Sequence, residues 1–300
     1  MKTQDMLQIL LAQSDLTQVK LAQRLNVSHQ TLYKWLTSKA LPRAAHLAAI
    51  ESLYVELIGA DDVDRDVLHD AVKIAEQAGI TVDAILSNNW LLDNFVVLLT
   101  YNTNSIEGST MTLADNRKVL LEQKVLPNRS AQEQLEARNH QAALMWLLER
   151  VYMGEFAVTV DMVRELHQRL MNGLLADSGS YRQHGVHIMG SRVTVANHLK
   201  IPELMDDLFA RKWEGTIRDM ALFHADFEKI HPFSDGNGRV GRLLLVGMAF
   251  MQGITPPIIA REARAAYYKH LERAQMDKSL DTLIYFLAQS VQDTYRALTK

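Results

Sequence analysis

The sequence predicts a mainly α-helical protein made of a small N-terminal module and a larger helical domain. Three observations carry this. Apolar residues recur at three-to-four spacing in Leu47-Ile50-Leu53-Tyr54-Leu57, Trp90-Leu91-Phe95-Leu98-Leu99, Ala142-Met145-Trp146-Leu148 and Leu243-Leu244-Gly247-Phe250. One stretch alone, 186–195, alternates like a strand pair, and its central Gly190-Ser191 reads as a hairpin turn. A length of 300 residues with 48% hydrophobic and 22% charged content is ordinary globular composition, with room for two domains of roughly 100–200 residues each.

The same composition excludes several classes. The chain has no cysteine, so a disulfide scaffold, a thiolate zinc site and a cysteine nucleophile are out. The best apolar run, 243–251, is far short of the ~20 residues a membrane span needs. Gln8 and Gln13 interrupt the only apolar stretch near the N-terminus, so a signal-peptide layout is lacking and a cytoplasmic location is expected. With 32 basic and 35 acidic residues the net charge is −3, which supplies no global field toward nucleic acid or membrane.

Taken in order, residues 1–58 form the first module. Residues 16–50 hold Lys20, Arg24, Lys34, Lys39 and Arg43 and no Asp or Glu, a single-sign window inside an acidic protein. Thr17 is an N-cap for a helix that turns Leu21, Ala22 and Leu25 inward, and Asn26 suits the left-handed residue that ends it. Ser28 caps a second helix with Leu32, Trp35 and Leu36 inward, leaving His29, Gln30, Tyr33 and Lys34 outward. These are the parts of a helix-turn-helix. The pattern resembles the phage-repressor type, except that Ser38-Lys39-Ala40 stands where a glycine is usual. Duplex DNA is the expected partner, with the lysines and arginines on phosphates and His29 and Gln30 at base edges. The competing reading is an interaction module with a solvated basic face, since residues 1–60 carry only six basic against four acidic side chains.

Residues 59–66 (GADDVDRD) read as a linker, with a connecting helix to about residue 84. A helix from about Asn89 ends at Gly108, a normal position for a glycine just past a helix. Glu107 then falls in its last turn, where a carboxylate opposes the helix dipole by ~0.3–1 kcal/mol. That choice implies a cationic partner elsewhere in the chain. Thr112 with Asp115 resembles a capping box opening a helix to about Lys124.

The most informative stretch is His231-Pro232-Phe233-Ser234-Asp235-Gly236-Asn237-Gly238-Arg239-Val240-Gly241-Arg242. A helix over 221–230 is stopped by Pro232. Gly236-Asn237-Gly238 tolerates positive φ, so successive backbone N–H groups can turn inward as an anion nest. A new helix from about Arg239 adds its N-terminal amides. Arg239 and Arg242 share a face of that helix and pair well with phosphate oxygens. Asp235 offers a hard oxygen to Mg²⁺ shared with substrate phosphates. His231 is of the right type for a general base at neutral pH. The embedded Gly-x-Gly-x-x-Gly string is not a dinucleotide fingerprint, because a helix and not a strand precedes it.

This segment resembles the signature of the Fic family, His-x-Phe-x-(Asp/Glu)-Gly-Asn-Gly-Arg-x-x-Arg, at every specified position. Supporting pieces are similar too: Leu166-His167 to Gly173, Gly179-Ser180-Tyr181-Arg182, Ile201-Pro202-Glu203-Leu204, and Ser130 through Glu136 to Asn139. The resemblance covers about residues 85–290, with an inhibitory helix at about 89–108, a catalytic core at about 155–255, and 291–300 left as a C-terminal tail. It implies a Fic-type helical bundle with the 186–195 hairpin as a flap for the target chain. It implies transfer of AMP from ATP to a Ser, Thr or Tyr hydroxyl of a target protein, with Mg²⁺. By that resemblance His231 takes the hydroxyl proton, Asp235 holds the metal, Gly236, Asn237, Gly238 and Arg239 cradle the α- and β-phosphates, and Arg242 binds the γ-phosphate. Phe233 looks like an anchor for the loop.

Thr103-Asn104-Ser105-Ile106-Glu107-Gly108 resembles the family's inhibitory motif, which implies that Glu107 pairs with Arg242 and brakes transfer. Relatives in which this glutamate also supports AMP removal leave a bifunctional enzyme open. Two further readings stand beside the transferase: a DNA-binding transcriptional regulator whose Fic core senses nucleotide, and a phosphotransferase, against which Arg242 argues. A homodimer would give DNA half-sites one helical turn apart. His69-Asp70 has no companion ligands, His224 reads as a packed or surface residue, and Tyr267-Tyr268 are balanced between site and packing.

Overall fold

The computed structural model describes residues 2–14, 16–277 and 279–300. Fifteen α-helices are found among them, and no strand. The first four form the N-terminal module: α1 (Thr3–Gln13), α2 (Gln18–Arg24), α3 (His29–Leu36) and α4 (Ala44–Ile58). Thr17 accepts from Lys20 N and Ser28 from Thr31 N, so both short helices start at side-chain caps. Asn26 is left-handed at φ 53. Ser38 takes the same conformation at φ 55, at the turn where a glycine was missing from the sequence. Leu7, Leu10, Leu21, Leu32, Trp35, Ile50 and Leu57 close a core of their own.

The rest of the chain builds a second, larger core. Its helices are α5 (Arg65–Gln77), α6 (Val82–Ser87), α7 (Asn89–Ile106), α8 (Leu113–Leu120), α9 (Ala131–Tyr152), α10 (Val160–Leu170), α11 (Ile201–Ala210), α12 (Ile217–Ile230), α13 (Asn237–Met251), α14 (Arg264–Asp277) and α15 (Asp281–Thr299). Helix α13 is the centre. Every residue from Arg239 to Phe250 is buried, and α7, α9, α10 and α12 pack around it. A helix buried on all sides shows no strong apolar stripe, which is why its sequence reads as a continuous apolar run.

Four expectations need correction. The 186–195 stretch has a turn, with Gly190 at φ 79 and Ser191 N–H on Ile188 O at 3.2 Å, but no strand ladder forms. An isolated two-stranded ribbon is marginal in water, and polar groups here bond elsewhere: Arg192 N to Glu272 and Ala196 N to Lys229 O. The capping box of Thr112 and Asp115 is present, but its helix stops at Leu120, not Lys124. The helix after the glycine turn starts at Asn237, not Arg239. The stretch set aside as a tail is helical to Thr299, with Val291, Thr294 and Leu298 buried.

The linker 59–66 gives way to helix at Arg65, where Asp64 accepts from Asp66 N and Val67 N. Ala71 and Ala75 of α5 are buried in the larger core, and α5 packs on α15. The two cores meet where α4 packs on α14. There Lys269 Nζ reaches Gly59 O at 3.0 Å and Asp61 Oδ1 at 2.7 Å.

Candidate active site

Thr216 caps α12 by accepting from Asp219 N. The helix ends at His231, itself left-handed at φ 52 and ψ 61, with its N–H on Phe227 O at 2.9 Å. A non-glycine residue in this region is strained, and Pro232 behind it forbids continuation. The turn aims the imidazole into a cavity of about 690 Å³ whose wall also includes Glu107, Asp235, Gly236, Asn237, Gly238 and Arg242. His231 Nδ1 lies 3.2 Å from Glu228 O. A carbonyl can only accept, so Nδ1 carries the proton and Nε2 is left with the free lone pair. Burial pushes the His231 pKa below its ordinary value, the bond to the Glu228 carbonyl working against this. The ring is therefore neutral at pH 7, as a base must be.

The loop between α12 and α13 is held by its own residues. Asn237 is buried; its Oδ1 accepts from Phe233 N and its Nδ2 donates to Phe233 O, both at 2.9 Å. Phe233 is fully buried and stacks on His167 at 3.7 Å. His167 Nδ1 accepts from Gly179 N at 2.8 Å, so its Nε2–H donates to Asp235 O at 3.0 Å. Only Gly236 of the three nest residues has positive φ, at 80. Asn237 and Gly238 are instead the first turn of α13, so their amides are helix N-terminal donors for an anion. A Cβ at Gly238 would sit 2.5 Å from Glu107 Oε1 and 2.9 Å from Arg242 Nη1, so a side chain there would displace the Glu107–Arg242 pair.

Arg242 is buried and multiply held. Its Nε donates to Thr103 Oγ1 at 2.8 Å, its Nη2 to Glu107 Oε1 at 2.5 Å and its Nη1 to Tyr267 Oη at 3.5 Å. Burial disfavours its charge, but the Glu107 carboxylate together with Tyr267 and Tyr268 outweighs this and raises its pKa. Glu107 caps the C-terminus of α7, and Ser109 N returns to Asn104 O at 2.9 Å. The cationic partner that its position demanded is thus Arg242.

Arg239 stands off the cavity wall. It is buried, with Nη2 3.2 Å from Asp235 Oδ2 and Nη1 3.9 Å from Glu136 Oε1. Asp235 keeps a side chain 62% exposed, and its Oδ1 accepts from Gly236 N at 2.6 Å. Among the described residues no group of three or more His, Asp or Glu could hold a metal unaided. One open carboxylate facing a phosphate-sized cavity fits Mg²⁺, which binds through one or two carboxylates plus substrate phosphates and water.

The sequence assigned no role to Arg182 or Glu228, and left Tyr267-Tyr268 balanced between site and packing. Arg182 is fully buried and ties the backbone behind His231: Nε to His231 O at 2.8 Å, Nη1 to His184 O and Nη2 to Ala196 O, both at 2.6 Å. Tyr267 is buried, its Oη is hydrogen-bonded with His224 Nε2 at 2.7 Å, and it lines the cavity with Tyr268. His224 is a packed residue, pushed down to about 3 by burial. Glu228 is buried on the cavity wall, its Oε1 without a hydrogen bond and its carboxyl pushed up to about 8 by burial. The signal for these was weak, because each is an ordinary residue inside a helix or loop until the chain folds.

In the N-terminal module, His29, Gln30, Tyr33 and Lys34 are all exposed on α3, opposite buried Leu32 and Trp35. Lys39 Nζ sits 5.8 Å over the Tyr33 ring. No helix among the described residues is long and apolar enough to cross a membrane.

Comparison with known proteins matches these two regions separately. Residues 157–249 match the Fic/DOC family model, and residues 7–54 a helix-turn-helix model. Curated relatives include the protein adenylyltransferase fic-1 of Caenorhabditis briggsae, 32% identical over 186 residues, covering 60% of this chain and 36% of that protein. Another is the protein adenylyltransferase Fic of Nematostella vectensis, 29% identical over 213 residues, covering 66% and 47%. The chain thus spans less than half the length of these relatives. Among solved structures, Fic-1 (residues 134–508) of Caenorhabditis elegans has a TM-score of 0.67 at 22% identity, covering 99% of this chain and 86% of that one. A Fic domain-containing signaling protein of Bacteroides thetaiotaomicron has a TM-score of 0.62 at 22% identity, covering 78% and 97%. The helical fold is therefore of the Fic type.

Proposed function

We propose that this protein is an adenylyltransferase that moves AMP from ATP to a Ser, Thr or Tyr hydroxyl of a target protein, and that Glu107 restrains it. The observation that carries the reading is the convergence, in one cavity, of a neutral histidine, a helix N-terminus and a buried arginine held by a carboxylate. Curated relatives named protein adenylyltransferase support the reaction class.

In this reading the N–H groups at the start of α13 bind the α- and β-phosphates of ATP, and Arg242 binds the γ-phosphate. Asp235 would hold Mg²⁺, which supplies charge neutralisation between the phosphates. His231 Nε2 accepts the proton of the target hydroxyl as its oxygen attacks the α-phosphorus and the bond to the β-phosphate bridge breaks, releasing pyrophosphate. Catalysis then rests on positioning, charge neutralisation and one base. Glu107 occupies the guanidinium edge that the γ-phosphate needs, so ATP seats out of line until the pair opens.

The test is the intact mass of Glu107→Gly after incubation with ATP and Mg²⁺, beside Glu107→Gly/His231→Ala, alone and in a cell lysate. One added AMP that vanishes with His231 supports the reading. An added phosphate would favour phosphate transfer, and no modification of any protein would defeat it.

A second reading is favoured by one contact region. Gln13, at the end of α1, lines the same cavity as His231, so the module with the exposed face His29, Gln30, Tyr33 and Lys34 borders the nucleotide site. A DNA-binding regulator that senses nucleotide would use this arrangement, with duplex DNA on α3 and phosphate contacts that weaken with salt. Loss of duplex binding on adding ATP would favour it.

A further inference from the structure

The stretch 186–195 overhangs the cavity, with Ile188, Met189, Gly190 and Ser191 on its wall. It has no strand ladder to hold its height, yet its conformation is fixed at two points. At its root, Arg182 bonds His184 O, Ala196 O and His231 O, so both ends of the flap are tied to the backbone of the base. At its tip, a single carboxylate does the work. Glu272 Oε2 accepts from Ser191 Oγ at 3.1 Å and from Arg192 N at 2.9 Å. Its Oε1 accepts from Arg192 Nε at 2.8 Å and Nη2 at 2.7 Å. Ser191 Oγ in turn accepts from Val193 N at 3.1 Å, and Val193 is itself buried.

We infer that Glu272 is a positioning residue, a clasp on α14 that sets the height of the 186–195 flap over His231 and thereby the seat of the target segment. This deepens the transferase reading and rests on it. The ion pair with Arg192, whose side chain is 79% exposed, would by itself be weak. The backbone N–H and the hydroxyl are different: they are short-range, directional donors to an ionised acceptor, and they fix two consecutive residues at the C-terminal end of the turn. The Arg192 bonds, its backbone N–H foremost, also hold the Glu272 carboxyl below the usual carboxylate range, so the clasp stays charged at neutral pH.

The placement of Glu272 gives the clasp its consequence. It lies one helical turn after Tyr268, and both line the cavity. Lys269, three residues before it, holds Gly59 and Asp61, and Arg273, the next residue, donates to Asp61 O. One helix therefore carries a cavity-lining tyrosine, the flap clasp and the junction to the N-terminal module. Beyond the clasp, the tip of the flap is open: Met189 is 95% exposed, and nothing in the clasp covers the flap's outer edge.

The experiment uses the full chain with Glu107→Gly as the background and Glu272→Ala, Glu272→Gln and Arg192→Ala as variants. Amide exchange is read in peptides over 186–195, with peptides over α12 and α13 as internal controls. Glu272→Ala is expected to raise flap exchange on the order of tenfold while the controls hold. Arg192→Ala, which keeps the backbone N–H, is expected to raise it less, and Glu272→Gln to fall between. Unchanged flap exchange in Glu272→Ala overturns the clasp, whatever the enzyme does. The second readout is incorporation of labelled AMP into lysate proteins at saturating ATP. The rate should fall in the order of flap exchange while the KM for ATP stays put. A loosened flap with an unchanged rate overturns the positioning role and leaves the transferase reading standing. No incorporation in any variant, the background included, defeats the transferase reading, and the target-seating role with it, while exchange still decides the clasp.

Discussion

Glu107 Oε1 and Arg242 Nη2 stand 2.5 Å apart across 135 positions of sequence, and the arginine is buried while the glutamate side chain is 32% exposed. This asymmetry has a thermodynamic consequence. Removing the glutamate leaves a buried guanidinium with Thr103 and Tyr267 but no counter-charge. Glu107→Gly should therefore melt lower than wild type in the absence of nucleotide, by a few degrees for ~1–3 kcal/mol, less than a fully buried pair would lose because water reaches the carboxylate. ATP with Mg²⁺ should stabilise the variant more than the wild type, because the γ-phosphate restores the missing charge. Equal thermal shifts on adding ATP would contradict the brake.

His231→Ala should lower AMP transfer by ~10²–10⁴ in the Glu107→Gly background, the usual worth of a general base. Its affinity for a fluorescent ATP analogue should barely change, since His231 contributes a base and not a phosphate contact. A loss of nucleotide binding of the same size would reassign His231 to binding.

Asp235→Ala separates metal holding from loop integrity. The side chain is largely exposed, but its Oδ2 pairs with the buried Arg239 and its Oδ1 accepts from Gly236 N, so its loss should cost about 1 kcal/mol. The melting temperature without nucleotide should fall slightly, while the Mg²⁺ concentration needed for half-maximal ATP stabilisation rises. Chelation with EDTA should remove most of the ATP-induced shift in the wild type and less in the variant.

Asn237→Ala should do the opposite. The side chain satisfies a buried N–H and a buried carbonyl of Phe233, and leaving such groups unpaired costs ~1–3 kcal/mol each. Stability and ATP binding should fall together, and a variant with wild-type melting would show that the staple is dispensable.

Glu228 gives a pH signature. Burial raises its pKa to about 8 from the ordinary 4.5, so the folded state keeps a proton that the unfolded chain gives up. The sign follows from linkage: this contribution is fully present below about pH 4.5 and is lost as pH rises through about 8. Glu228→Gln cannot lose a proton, so its stability relative to wild type should improve with pH across that window, by up to ~1.4 kcal/mol per unit. A melting-temperature difference that stays flat from pH 5 to pH 8.5 would rule out a protonated carboxyl.

Much of the fold and part of the site were legible before folding, for local reasons. Thr17, Ser28 and the Thr112–Asp115 box announce helix starts because a short polar side chain reaches the orphan amides of its own first turn. His231, Asp235, Gly236 and Arg242 lie within twelve residues, so a single turn suffices to gather them. The flap misled because alternation of side chains records burial and not pairing. Its polar groups found Glu272, eighty positions away, where no local pattern points.

The sequence by itself determined the helical class, the polar outward face of α3, and the glycine turn between α12 and α13, since each depends on neighbours within one or two helical turns. Tertiary structure alone decided which arginine faces the cavity. Arg239 and Arg242 are chemically alike and three residues apart, but Arg239 is turned toward Asp235 and Glu136 and Arg242 toward Thr103 and Glu107. It likewise decided that burial pushes the Glu228 carboxyl up and that Arg182 holds the backbone of His231. Desolvation and charge pairing depend on which helices surround a group, and that set is drawn from α7, α9, α12, α13 and α14, segments far apart along the chain and brought together only by packing around the buried helix α13.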